Sequence, residues 1–121
     1  MNSNNVFSFP LAVSPTPPAS TAKLICCYAA GGTVRVADIA DTPVGSFLQD
    51  YAAGFAADFA VNKAYVSQEL TVGDGTAIAF GDPVKRMNGG LIQAQGGTGV
   101  IYGIALQPST ATGSIIEVHV L

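Results

Sequence analysis

Residues 31–49 return, without a gap, as residues 89–107, 58 positions later. Gly31-Gly32 aligns with Gly89-Gly90, Gly45 with Gly103, and Leu48-Gln49 with Leu106-Gln107. Composition alone gives roughly one or two identities over such a window in a chain rich in Gly and Ala, and five are present. After a one-residue shift the echo continues, with Gly54 over Gly113 and Val61 over Val120. A short β-unit that cannot bury its apolar face alone buries it against a second copy, so duplication predicts one barrel or sandwich made of two related units.

The punctuation agrees. Apolar runs are broken by Gly-Gly, Gly-Asp-Gly, Gly-Asp-Pro and Asn-Gly-Gly at intervals of about ten residues, which is strand-and-turn spacing rather than helical periodicity. Strands are predicted over 24–29, 33–37, 45–49, 55–61, 64–72, 77–80, 83–87, 91–95, 101–106 and 114–121. The last is the clearest, because Ile116, Val118 and Val120 alternate with Glu117 and His119. The alanines of 44–59 offer a helical rival, which Gly45, Gly54 and the alignment to the second copy disfavour. Gly73-Asp74-Gly75 is expected to close a hairpin, and residues 96–99 read as a hairpin loop.

A chain of 121 residues fits a single domain. With 49% hydrophobic residues it still has no apolar run near the roughly 18 to 20 residues of a membrane-spanning helix. Only 11% of residues are charged, a surface suited to a life packed against partners. A net charge of −3 with five scattered Lys and Arg argues against nucleic acid and against acidic membrane surfaces. The N-terminal stretch lacks the basic and apolar regions of a secretory signal. Cys26 and Cys27 are neighbours, too close along the chain for an ordinary disulfide, and are expected to be reduced, as in a cytoplasm.

Residues 1–22 read as an extended arm and residues 23–121 as the β-domain. Four of the seven prolines, Pro10, Pro15, Pro17 and Pro18, fall in the arm, a composition that holds neither helix nor central strand. At about 3 Å per residue such a segment reaches roughly 60 Å. Val6, Phe7, Phe9, Leu11 and Val13 form an apolar set within it, the pattern of a strand laid against something, and are the candidate partner-binding residues. On this reading the body stands without its first 20 residues.

The residues of catalysis are sparse. His119 is the sole histidine, so a triad, a Cys-His pair or a multi-histidine metal site would each have to use it. Its place between Val118 and Val120 reads as the polar side of a half-buried strand. Cys26 and Cys27 point to opposite faces of theirs. Ser20 and Lys23 match the Ser-x-x-Lys spacing of penicillin-recognising enzymes but follow Pro17-Pro18, precede a β-run and lack the companion motifs. Glu69, Asp74 and Asp82 lack calcium-loop spacing, and aspartates at Gly-rich turns bond their own backbone amides. Residues 96–99 lack the lysine of a P-loop. No catalytic residue, cofactor or metal site is expected.

Gly81-Asp82-Pro83-Val84, then Gly89-Gly90-Leu91-Ile92, then Gly103-Ile104-Ala105-Leu106 before a Gly-led final strand resembles the small head decoration, or cement, proteins of tailed bacteriophages. The likeness covers residues 76–121, with residues 33–61 a weaker instance of the same unit. It implies a compact β-barrel or β-sandwich made in the bacterial cytoplasm and bound, commonly as a homotrimer, to the outside of a phage head. The major capsid protein would be its partner, the arm adding contacts across neighbouring subunits. Another virion part, a head fibre base or tail adaptor, would show the same features. A small hydrolase or ligand-binding barrel would need converging polar groups.

Overall fold

The computed structural model describes residues 6–12, 20–62 and 67–121, and within them the chain is all-β, with ten strands and no helix. The strands are β1 (Val6–Pro10), β2 (Ile25–Ala29), β3 (Thr33–Val36), β4 (Gly45–Phe47), β5 (Ala56–Val61), β6 (Ser67–Thr71), β7 (Pro83–Met87), β8 (Leu91–Ala94), β9 (Gly103–Ala105) and β10 (Ile115–Val120). Period-two burial explains them. In β10 Ile116, Val118 and Val120 are buried while Glu117 and His119 are half-exposed, and in β5 Ala57 and Phe59 point inward.

The strands form two antiparallel five-stranded sheets, ordered β1-β5-β4-β2-β3 and β6-β10-β9-β7-β8. Adding five to each label of the first order gives the second. The sheets pack against each other as a small β-sandwich. A lone parallel bridge in each unit, Leu11 to Val34 and Val72 to Ile92, ties the first strand's end to the last strand without closing a barrel.

The duplication extends to individual hydrogen bonds. Phe47 N donates to Leu24 O and Ala105 N to Asp82 O, both at 2.9 Å. Gly54 N donates to Leu11 O and Gly113 N to Val72 O, both at 2.8 Å. The glycines shared by the two copies have physical reasons. Gly31-Gly32 and Gly89-Gly90 complete the three-residue loops 30–32 and 88–90 of the β2-β3 and β7-β8 hairpins with positive φ at all four residues, a conformation glycine adopts without steric cost. At Gly45 a Cβ would stand 1.8 Å from Ala60 O, and at Gly103 2.6 Å from His119 O, so neither strand pairing admits a side chain.

Each unit fills its own interior. Leu11, Leu24, Cys26, Val34, Phe47, Ala57 and Phe59 cluster in the first unit. Val72, Val84, Ile92, Ala105, Ile116 and Val118 occupy the second, joined by Ile25, Cys27 and Ala37 from the first. β2 therefore serves both clusters, with Cys26 facing one and Cys27 the other.

Four details differ from the sequence expectations. Residues 6–12, expected in an extended arm laid against a partner, pair within the body: β1 pairs with β5, Val6 opposite Ala60, and stands where β6 stands in the second unit. Gly73-Asp74-Gly75 does not close a hairpin, because β6 pairs with β10 and the loop carries the chain across to β7. Residues 96–99 likewise lie in a crossing from β8 over β7 to β9, and of the strand expected at 77–80 only the bridge of Ile78 to Ser109 forms.

Candidate functional site

Of the five N-terminal residues singled out, the fold separates four by depth, and Val13 lies outside the described residues. Leu11 is buried, donating from its backbone to Phe55 O at 2.9 Å. Phe9 is half-buried, its ring centroid 5.8 Å from Tyr28 and 6.0 Å from Phe59. Phe7 meets Phe59 edge-on at 6.2 Å but is 44% exposed, and Val6 is exposed beside it. The aromatic faces thus consolidate β1 on its own sheet, leaving Val6 and Phe7 accessible on an edge strand.

A second surface surrounds Tyr102. Ile39, Lys85, Arg86, Gln93, Val100 and Tyr102 line a groove of about 450 Å³. Arg86 builds one wall: its guanidinium donates to the carbonyls of Asp38 at 3.0 Å, Ile39 at 2.9 Å and Asp41 at 3.0 Å, and lies 5.8 Å from the Tyr102 ring. Ile39 N donates to Asn88 Oδ1 and Gly89 N to Asp38 Oδ1, clamping the 38–41 loop on the β7-β8 turn. With Arg86 spent on carbonyls and Lys85 Nζ on Thr98 O at 3.1 Å, the groove is suited to apolar side chains rather than anions. Val100, 86% exposed, and Ile39 stand at its rim.

Between the units runs a chain of polar side chains. Ser46 Oγ donates to Gln68 Oε1 at 2.7 Å, Gln68 Nε2 to Asn62 Oδ1 at 2.9 Å, and Asn62 Nδ2 to Tyr102 Oη at 3.0 Å. Burial pushes the Tyr102 phenol up to about 12, so it stays protonated. Beside it, Asp41 holds Arg35 through two 2.8 Å bonds. That pairing first, and the Asp38 amide second, bring the Asp41 carboxyl down to about 2.

The reactive residue types do not converge. Cys26 and Cys27 are free and buried in β2, and burial pushes both thiols up, away from the thiolate a nucleophile needs. His119 is paired across strands with Ile104 and Ser67. Ser20 donates to Asp50 at 2.6 Å while Lys23 pairs with Glu69 at 3.2 Å, so the Ser-x-x-Lys residues serve different partners. Asp74 accepts from Thr76 N and Asp82 from Ala79 N, the turn role expected of them. Among the described residues no three His, Cys, Asp or Glu gather as metal ligands.

The groove escaped sequence reasoning because Ile39, Arg86 and Val100 are brought together by the contact between units. No family model matches the chain, and no curated protein matches it.

Proposed function

We propose that the protein is a structural component of a tailed-phage virion. It binds the outer capsid surface and stabilises the shell by bridging neighbouring major capsid subunits, as a homotrimer and without catalysis. One observation carries this reading: bulky apolar side chains stand outward on the turns of a body with few charges. Val100, Phe80 and Phe55 are 86%, 72% and 70% exposed, where a free monomer gains nothing from showing them. The fold gives these residues a well-packed base, and the Tyr102 groove offers a pocket for an apolar side chain of a capsid subunit. The motif resemblance in residues 76–121 points the same way.

Symmetric display strengthens such a contact, since one docked site holds the others near theirs at high effective concentration. Quantitative mass spectrometry of purified particles tests the reading. Copies in the hundreds per virion are expected. A handful per virion would assign the protein to a fibre base or tail adaptor, and its absence from particles would overturn the virion reading.

A further inference from the structure

The two units are unequally covered. Within the chain, the outer rim of β6 leans on the first unit: Gln68 meets Ser46 and Asn62, Thr71 N donates to Lys23 O at 3.1 Å, and Glu69 pairs with Lys23. Gln68 is only 4% exposed as a result. The strand registers fix the matching residues of the other unit. Phe7 pairs with Phe59 as Gln68 pairs with Val118, and Ile104 pairs with His119 as Ser46 pairs with Ala60. Leu121 N donates to Tyr102 O as Asn62 N donates to Val44 O. The polar trio Gln68, Ser46 and Asn62 therefore has an apolar counterpart in Phe7, Ile104 and Leu121.

The polar trio meets inside one chain. The apolar trio is divided, with Phe7 on the first unit and Ile104 and Leu121 on the second. Leu121 is 73% exposed and Phe7 44%. Applying the relation between unit one and unit two once more would set the first unit of another molecule on the second unit of this one, closing Phe7 over Ile104 and Leu121.

The geometry points to a second copy of this chain as the occupant of that face, docked head to tail through β1 on the β9-β10 surface. The remaining substitutions fit an apolar contact. Ser8 and Gly81 stand where Glu69 and Lys23 form their ion pair, so no charge is buried. Pro10 stands at the place of Thr71 and has no N–H, so the backbone bond of the internal junction is absent and the sheets are not continued from copy to copy. Burial of side chains holds the joint. A heterologous contact of this kind forms a ring where its rotation closes. This inference deepens the proposed homotrimer, in which six units would follow one another around the ring, and does not depend on capsid binding.

Light scattering on purified protein without capsids, coupled to size exclusion, tests it. The wild type is expected to self-associate, and Phe7→Gln, Ile104→Ser and Leu121→Asn each to weaken association by about tenfold or more. Leu121→Asn, at an exposed position, is expected to keep the wild-type melting temperature at protein concentrations too dilute for association, so its effect is read free of folding. Phe7→Gln keeps an intact receiving face and Ile104→Ser an intact donor strand, so mixing the two is expected to yield one-to-one heterodimers. A monomeric wild type, an unweakened Leu121→Asn or a mixture that stays monomeric would overturn the proposal. A wild type that associates as described yet ignores phage heads would count against the capsid reading alone.

Discussion

Lys23 and Gly81 hold the same turn in the two units, with φ of 59° and 88°. In each, the residue's N–H donates to the carbonyl of the short middle strand, Lys23 N to Phe47 O and Gly81 N to Ala105 O. Lys23 is the only described non-glycine residue with positive φ, a conformation that costs an L-residue about 1 kcal/mol or more. Its half-exposed pairing with Glu69 returns less than about 1 kcal/mol. Lys23→Gly is therefore expected to be at least as stable as the wild type in urea unfolding, and Lys23→Val to be less stable by about 1 kcal/mol or more.

Leu11 separates a free arm from a built-in first strand. It is 1% exposed and bridges to Val34 at the open end of the first sheet. Leu11→Ala is expected to cost about 2 to 5 kcal/mol in chemical denaturation. Deleting residues 1–12 would uncover Phe59 and Val34 and should leave a chain that unfolds or aggregates. A truncated chain with the wild-type melting temperature would show that the segment is dispensable.

Gln68 ties the units together by accepting from Ser46 and donating to Asn62. Gln68→Ala leaves those partners without it, at a cost of about 1 to 3 kcal/mol. The double variant Ser46→Ala with Gln68→Ala should lose less than the two single losses added, because a donor and its acceptor depart together. Urea unfolding of the cycle measures the difference.

Acid acts through Asp41. Its folded carboxyl is held at about 2, below its ordinary 3.8, by Arg35 first and the Asp38 amide second. A depressed carboxylate adds stability above its unfolded value, and that stability is lost as pH falls from 3.8 through about 2. Melting temperature should therefore fall over this interval, and less steeply in Asp41→Asn. The pair is close to solvent, so the effect should be small and shrink further in high salt.

Strand positions were legible because period-two alternation and Gly-rich turns are local signals. β2, β3, β7 and β8 lie where the apolar runs and their Gly-Gly turns place them. Strand order was less so. Gly73-Asp74-Gly75 and residues 96–99 carry turn chemistry, yet both lead into crossings, since pairing is decided by distant strands rather than by the turn. The repeat at 58 residues aligns β2 to β4 with β7 to β9, but β1 and β6 lie 61 apart and VFSFP shares no identity with SQELT. Only the pairing with β5 shows that a Pro-rich segment supplies the missing fifth strand. The groove at Tyr102 joins Ile39 to residues 85–102, a contact no sequence window contains.

Shell stabilisation, the proposed role, is read from heat release of the packaged genome. On the proposed virion reading, phage particles are prepared with and without this protein, and DNA exposure is followed by dye fluorescence on a temperature ramp. Release is expected at a clearly lower temperature from particles that lack it, restored when purified wild-type protein is added back. Identical release temperatures, with no binding on add-back, would contradict that role.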